Sequence, residues 1–98
     1  MELRIKDSMG EVLGIAIKKE FRRKGYAKQL MNFALKFLDE QNCFAAKLLV
    51  RKSNMAAIKL YIALGFKTIR TVDQPKISNE EAYEMMIDLI EPVTPHIM

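Results

Sequence analysis

Val12-Leu13-Gly14-Ile15-Ala16-Ile17-Lys18-Lys19-Glu20-Phe21-Arg22-Arg23-Lys24-Gly25-Tyr26-Ala27 is the stretch on which the fold turns. Its first six residues are a short, nearly continuous apolar run. That length and the β-branched members predict a strand buried on both faces. Its end opens a different period. Ala27, Leu30, Met31, Ala34, Leu35 and Leu38 recur at helical spacing, while Lys28, Gln29, Asn32, Lys36 and Asp39 take the other side. This predicts an amphipathic helix from about Gly25 to Gln41. Lys18, Lys19, Arg22, Arg23, Lys24 and Lys28 crowd the junction, with Glu20 the one acid among them. A helix start presents about four N–H groups without intrahelical partners and a partial positive charge. With Gly25 at that start, the junction suits an anion such as phosphate. It also reads as a solvated basic loop, and the residues alone leave both readings open.

On the N-terminal side, Leu3 and Ile5 alternate with charges, and Ser8-Met9-Gly10 reads as a turn. Segments 2–7 and 11–18 then form a hairpin. On the C-terminal side, Ala45–Arg51 predicts a second strand. A strand, a helix and a strand in succession imply a parallel pair joined by a right-handed crossover. Ser53 or Asn54 caps a second helix over Met55–Leu64, with Ala57, Ile58, Tyr61 and Leu64 on one side. Gly65 ends it in a left-handed conformation. Phe66–Val72 predicts a third strand, residues 73–81 with Pro75 a loop, and Tyr83–Ile90 a last strand with Tyr83, Met85, Ile87 and Leu89 in phase. The expected fold is α/β, a mixed β-sheet with two packed helices. Residues 1–91 form one domain, and 92–98, with Pro92 and Pro95, a frayed tail.

Composition removes several classes of chemistry. The chain has 98 residues, half of them apolar and 29% charged, which is globular and sufficient for one core. Cys43 is the one cysteine, so no internal disulfide and no multi-cysteine zinc site can form, and no metal is expected. It sits in an apolar run and reads as a buried hydrophobe. His96 is the one histidine and stands in the tail, which argues against Cys–His and Ser–His–Asp catalysis. No apolar run reaches the roughly 20 residues of a membrane span, and the charged N-terminus does not read as a signal peptide. A cytoplasmic location is expected. The net charge of +4 suits anionic ligands. Phe21 and Tyr26 alone interleave with the basic cluster, and no helix-turn-helix or RNA-binding signature is present, so nucleic acid is not the expected partner.

Arg22-Arg23-Lys24-Gly25-Tyr26-Ala27 fits Arg/Gln-x-x-Gly-x-Gly/Ala, and Asn54, Ala57, Tyr61 and Gly65-Phe66 fit Asn-x-x-Ala-x-x-x-Tyr followed by Gly-Phe. In that order, between those elements, the two motifs resemble the GCN5-related N-acetyltransferases from about Glu11 to Leu89. Lys19 and Arg23 depart from the proline and glycine often found there. The strand, helices and further strands with which that family's domain usually begins are almost all missing. Residues 2–7 would be the last strand of that part.

The resemblance implies acetyl-CoA as co-substrate and a primary amine of a peptide or small molecule as acceptor. The backbone of Arg23, Lys24, Gly25, Tyr26 and Ala27, with the charge of Arg22, would hold the pyrophosphate. Ile15, Ala16 and Ile17 would pair with the pantetheine arm, in an opening between the strands that end near Ile17 and Arg51. Asn54 and Ala57 would contact the cofactor from the other junction, and Arg51 or Lys52 its ribose phosphate. Tyr61 would be the general acid for the departing thiolate, a phenol near pKa 10 matched to a thiol near 8.5. Glu11 would be the base, sharing a face with Leu13, Ile15 and Ile17. Without the motifs, Tyr61 reads as a core tyrosine, Asn54 as a helix cap and Glu11 as a solvated hairpin residue. A strand lacking its usual neighbours is a pairing liability, so a homodimer is expected. The competing reading is a non-catalytic CoA-binding or assembly module.

Overall fold

The computed structural model describes residues 2–13, 25–73 and 81–89. Seven elements run in the order β1 (Glu2–Lys6), β2 (Met9–Leu13), α1 (Tyr26–Glu40), β3 (Ala45–Arg51), α2 (Met55–Leu64), β4 (Lys67–Val72) and β5 (Ala82–Asp88). The strands make one five-stranded sheet in the order β1-β2-β3-β5-β4. β2 and β3 are parallel, as the crossover through α1 requires, and the other neighbours are antiparallel. The mixed sheet with two helices is the fold expected from sequence. The place of β5 between β3 and β4 was not readable there.

The turn between β1 and β2 differs from the expected one. Asp7 and Ser8 form it, both at positive φ (53° and 63°), between the paired residues Lys6 and Met9. Two residues at positive φ match the twist of a hairpin, which is why Asp-Gly and Asn-Gly are the usual occupants. Gly10 is not in the turn. It lies in β2 opposite Ala46, and a Cβ there would stand 2.6 Å from Leu38 Cδ1. The glycine therefore serves the close approach of α1 to the sheet. Ser8 carries a left-handed conformation that costs an L-residue about 1–2 kcal/mol. Ser8→Gly is expected to stabilise the fold by about 0.5–1 kcal/mol once glycine's own entropy is counted. Chemical unfolding of the two proteins side by side checks this.

Both crossovers step the same way across the sheet, from β2 to β3 and from β3 over β5 to β4. Right-handed connections then put α1 and α2 on one face. The core confirms it. Val12, Leu48, Val50 and Met85 point to that face and meet Met31 and Leu38 of α1 and Ile58 and Tyr61 of α2, with Cys43 and Phe66 closing the cluster. Cys43 is fully buried, as expected of a small hydrophobe. The opposite face, carrying Glu11, Leu13, Lys47, Leu49, Arg51, Glu84 and Arg70, is covered by no described element. Leu49 is 43% exposed there. This corrects the expectation of burial on both faces for the strand containing Val12 and Leu13. Val12 is buried beneath the helices, and Leu13, one residue on, is half-buried on the bare side.

Candidate active site

The start of α1 is built by Gly25. It takes φ 75°, ψ 9°, a left-handed conformation that glycine adopts without penalty. From there the chain enters the helix, whose first bond runs from Gln29 N–H to the Gly25 carbonyl at 3.0 Å. Among the described residues no side chain caps this helix, and its first turn holds no acid. Among the described residues, nothing lies within 4 Å of where a Cβ would stand on Gly25. A helix start of this kind fits a pyrophosphate, which needs N–H donors at close range and no competing carboxylate. Tyr26 and Ala27 follow Gly25 into the first turn. Ile15, Ala16, Ile17, Arg22, Arg23 and Lys24, also expected at this site, lie outside the described residues.

Asn54 caps α2. Its Oδ1 accepts from the Ala57 N–H at 3.3 Å, and its carbonyl accepts from Ile58 N–H at 3.1 Å. The capping role is therefore real, and it accounts for the spacing from Asn54 to Ala57 in local terms. Asn54 remains exposed, so its amide nitrogen is not enclosed by the fold.

Tyr61 is 7% exposed and lies in the core cluster on the inward side of α2. Gly65, at φ 106°, ends the helix and turns the chain back. Phe66 N–H then donates to the Tyr61 carbonyl at 2.9 Å, and the two rings meet at 5.7 Å, tilted by 56°. The Gly-Phe pair thus wedges Tyr61 in one orientation. Burial raises the Tyr61 phenol above its ordinary value of 10.0. The group holds its proton throughout the neutral range, although as an acid it is weaker than an exposed phenol.

Glu11 stands on the bare face of the sheet, in register between Arg4 of β1 and Lys47 of β3. It lines a cleft of about 260 Å³ with Lys47, Leu48, Leu49, Arg70, Val72 and Glu84. Arg70 Nε lies 3.3 Å from Glu84 Oε1 across the cleft floor. Glu11 and Tyr61 are therefore not brought together, since they address opposite faces. The opening expected between the strands that end near Ile17 and Arg51 lies, on its Ile17 side, outside the described residues.

Lys52, one of two expected partners for a ribose phosphate, is engaged elsewhere. Its Nζ sits 3.0 Å from Glu81 Oε2 and 5.3 Å from the centre of the Tyr83 ring. Arg51 is exposed at the end of β3. Among the described residues no cluster of His, Cys, Asp and Glu could hold a metal ion, and no helix is long and apolar enough to cross a membrane.

The model of the acetyltransferase (GNAT) family matches residues 1–66, from β1 through both helices to the Gly-Phe pair. The chain belongs to this family. This GNAT chain is 38% identical to an N-alpha-acetyltransferase of Saccharolobus solfataricus over 77 residues, covering 78% of this chain and 46% of that protein. It matches the structure of Ard1 from Thermoplasma volcanium with a TM-score of 0.78 and 30% identity, covering 85% of this chain and 56% of that one. It shares its fold with a Bacillus subtilis acetyltransferase in complex with CoA, at a TM-score of 0.74 and 19% identity, covering 90% of this chain and 66% of that one. The chain spans about half the length of the relatives it matches in sequence.

Proposed function

We propose that residues 1–91 form the acetyl-CoA-binding domain of an N-acetyltransferase whose acceptor is a primary amine, with a peptide N-terminus favoured over a small molecule. The start of α1 carries the reading: left-handed Gly25, no acid in the first turn and, among the described residues, no cap and nothing beside the glycine. The N-alpha-acetyltransferase relative supports the acceptor class.

Acetyl-CoA supplies the acyl group as a thioester. The amine nitrogen forms the new bond to the acetyl carbon, the bond from that carbon to sulfur breaks, and the sulfur takes a proton. In this reading Gly25, Tyr26 and Ala27, with Arg22, Arg23 and Lys24, bind the pyrophosphate. Ile15, Ala16 and Ile17 pair with the pantetheine arm, and Asn54 and Ala57 contact the cofactor from the start of α2. Tyr61 holds the proton destined for sulfur, and Glu11 takes the one the amine gives up. Acceptor and donor would meet between the strands that end near Ile17 and Arg51. The working unit is a homodimer in the cytoplasm.

Calorimetric titration with acetyl-CoA tests the reading. The wild type is expected to bind in the micromolar range, about −8 kcal/mol. Gly25→Glu puts a carboxylate at the pyrophosphate and is expected to abolish the heat, while Gly25→Ala, which carries the same strain of a side chain at positive φ without the charge, retains most of it. A folded wild type that does not bind acetyl-CoA overturns the proposal. Binding without turnover on any amine reduces the chain to a CoA-binding module.

A further inference from the structure

Lys52, the residue after β3, closes a small cluster with the start of β5. Its N–H donates to the Glu81 carbonyl at 3.1 Å, one step beyond the pair of Arg51 with Ala82. Its ammonium stands 3.0 Å from Glu81 Oε2 and 5.3 Å from the centre of the Tyr83 ring. A carboxylate and an aromatic face are two groups that hold an ammonium. The first supplies charge and hydrogen-bond acceptors, the second the negative face of its quadrupole. The ring is fixed from behind, because Tyr83 stands opposite Val50 in the ladder and packs on the core cluster that contains Val50 and Tyr61. The Lys52 cluster therefore lies on the face of the sheet to which Tyr61 belongs, where Glu11 does not reach. It also follows directly on Arg51, at the end of β3 from which the chain enters α2.

We propose that Glu81 and Tyr83 form the binding site for the ammonium group of the acceptor, and that Lys52 occupies this site until the acceptor displaces it. The inference rests on the acetyltransferase reading above and gives its amine a place. An α-amino group titrates near pH 8 and a lysine near 10, so a primary amine reaches the protein at neutral pH mostly as an ammonium. Lys52 carries the same group. Its side chain is 38% exposed and that of Glu81 55%, so water screens the pair and holds it weakly. An incoming ammonium can exchange with it. As a tethered competitor, Lys52 lowers the apparent affinity for the acceptor by the fraction of time it leaves the site free. Acetylation turns the acceptor nitrogen into a neutral amide, which neither the carboxylate nor the ring retains. Lys52 then returns as product leaves.

Titration followed by NMR on the Tyr83 ring signals tests this without acetyl-CoA. The probes are a short peptide with a free N-terminus, n-butylamine, and the same peptide N-acetylated. The free amines are expected to shift the ring signals and the acetylated peptide to leave them in place. The tighter of the two free amines tells an α-amine acceptor from a side-chain amine. Lys52→Met keeps the length of the stem without its charge and is expected to lower the Kd of the free amine about threefold to tenfold. Glu81→Gln removes the charged acceptor and is expected to raise it about tenfold. Both substitutions break the same ion pair, so a purely structural role moves the two variants in the same direction, and that result overturns the proposal. So does a folded Lys52→Met chain whose Tyr83 signals ignore both free amines. A chain that binds free amines in the expected pattern but not acetyl-CoA keeps this site and loses the acetyltransferase reading. One that binds acetyl-CoA and shows no amine-dependent shift loses the site alone.

Discussion

Tyr61→Phe is expected to lower kcat about 10²–10⁴-fold while leaving the KM for acetyl-CoA within a few-fold of wild type, the range for removing a general acid. The ring is retained, so its contact with Phe66 and its place in the core survive, and the variant folds. Steady-state kinetics on a peptide amine reads the split. Equal kcat in the two proteins would make Tyr61 a core residue and nothing more. The same substitution has a signature without substrate. Burial raises the phenol above the value of about 10 that it has in the unfolded chain. Above that pH the unfolded chain ionises first and binds fewer protons than the folded one, so stability falls as pH rises. The contribution is complete below pH ~10 and is lost as pH climbs through the folded value. Urea unfolding at pH 9 and pH 11 is expected to show a smaller loss in Tyr61→Phe than in wild type, the difference isolating this phenol from Tyr26 and Tyr83.

Gly10→Ala is expected to destabilise the fold by about 1–3 kcal/mol, the cost of overfilling a packed core. The added methyl would meet Leu38 at 2.6 Å, 2.9 Å and 3.1 Å from its Cδ1, Cδ2 and Cγ atoms. Leu38 is completely buried, so it has little room to withdraw. For a domain of this size that is a fall in Tm of roughly 4–8 °C for each kcal/mol. Leu38→Val shortens the obstructing side chain. Combined with Gly10→Ala it is expected to cost less than the two single changes added together, since residues in contact couple. Thermal unfolding of the four proteins in the cycle reads the coupling. Additivity would show that Gly10 does not hold α1 against the sheet.

These two residues also mark the boundary of what the sequence revealed. Asn54 and Gly65 were legible because helix ends are local: a polar cap before an apolar period and a glycine after it stand next to what they terminate. Gly10 was misread for the opposite reason. Beside Ser8 it resembles a turn residue, and only Leu38, on another element, reveals that it serves close packing. The faces of β5 were legible from the alternation of Tyr83, Met85 and Ile87. Its neighbours were not, because alternation fixes which side a residue points to and leaves strand order open. In the site, Tyr61 stood out through its motif, while its burial and the wedge of Phe66 needed the fold. That Glu11 and Tyr61 address opposite faces follows from both helices lying on one side of the sheet, which depends on strand order and so was hidden with it.

The insertion of β5 between β3 and β4 also sets a timetable. Ribosomes deliver a chain from its N-terminus, so β4 emerges while the strand that will flank it is still to be made. Until residues 82–88 arrive, β3 lacks its antiparallel neighbour and β4 has no ladder at all. The α1 half can gather early around its parallel pair, but the sheet cannot close in the order of synthesis. Closure waits for a late segment to thread between two earlier ones, a non-local step of the kind that slows folding and leaves strand edges open to wrong partners meanwhile. A nascent chain interrupted before Ala82 would therefore be a substrate for chaperones, not a smaller version of the same fold.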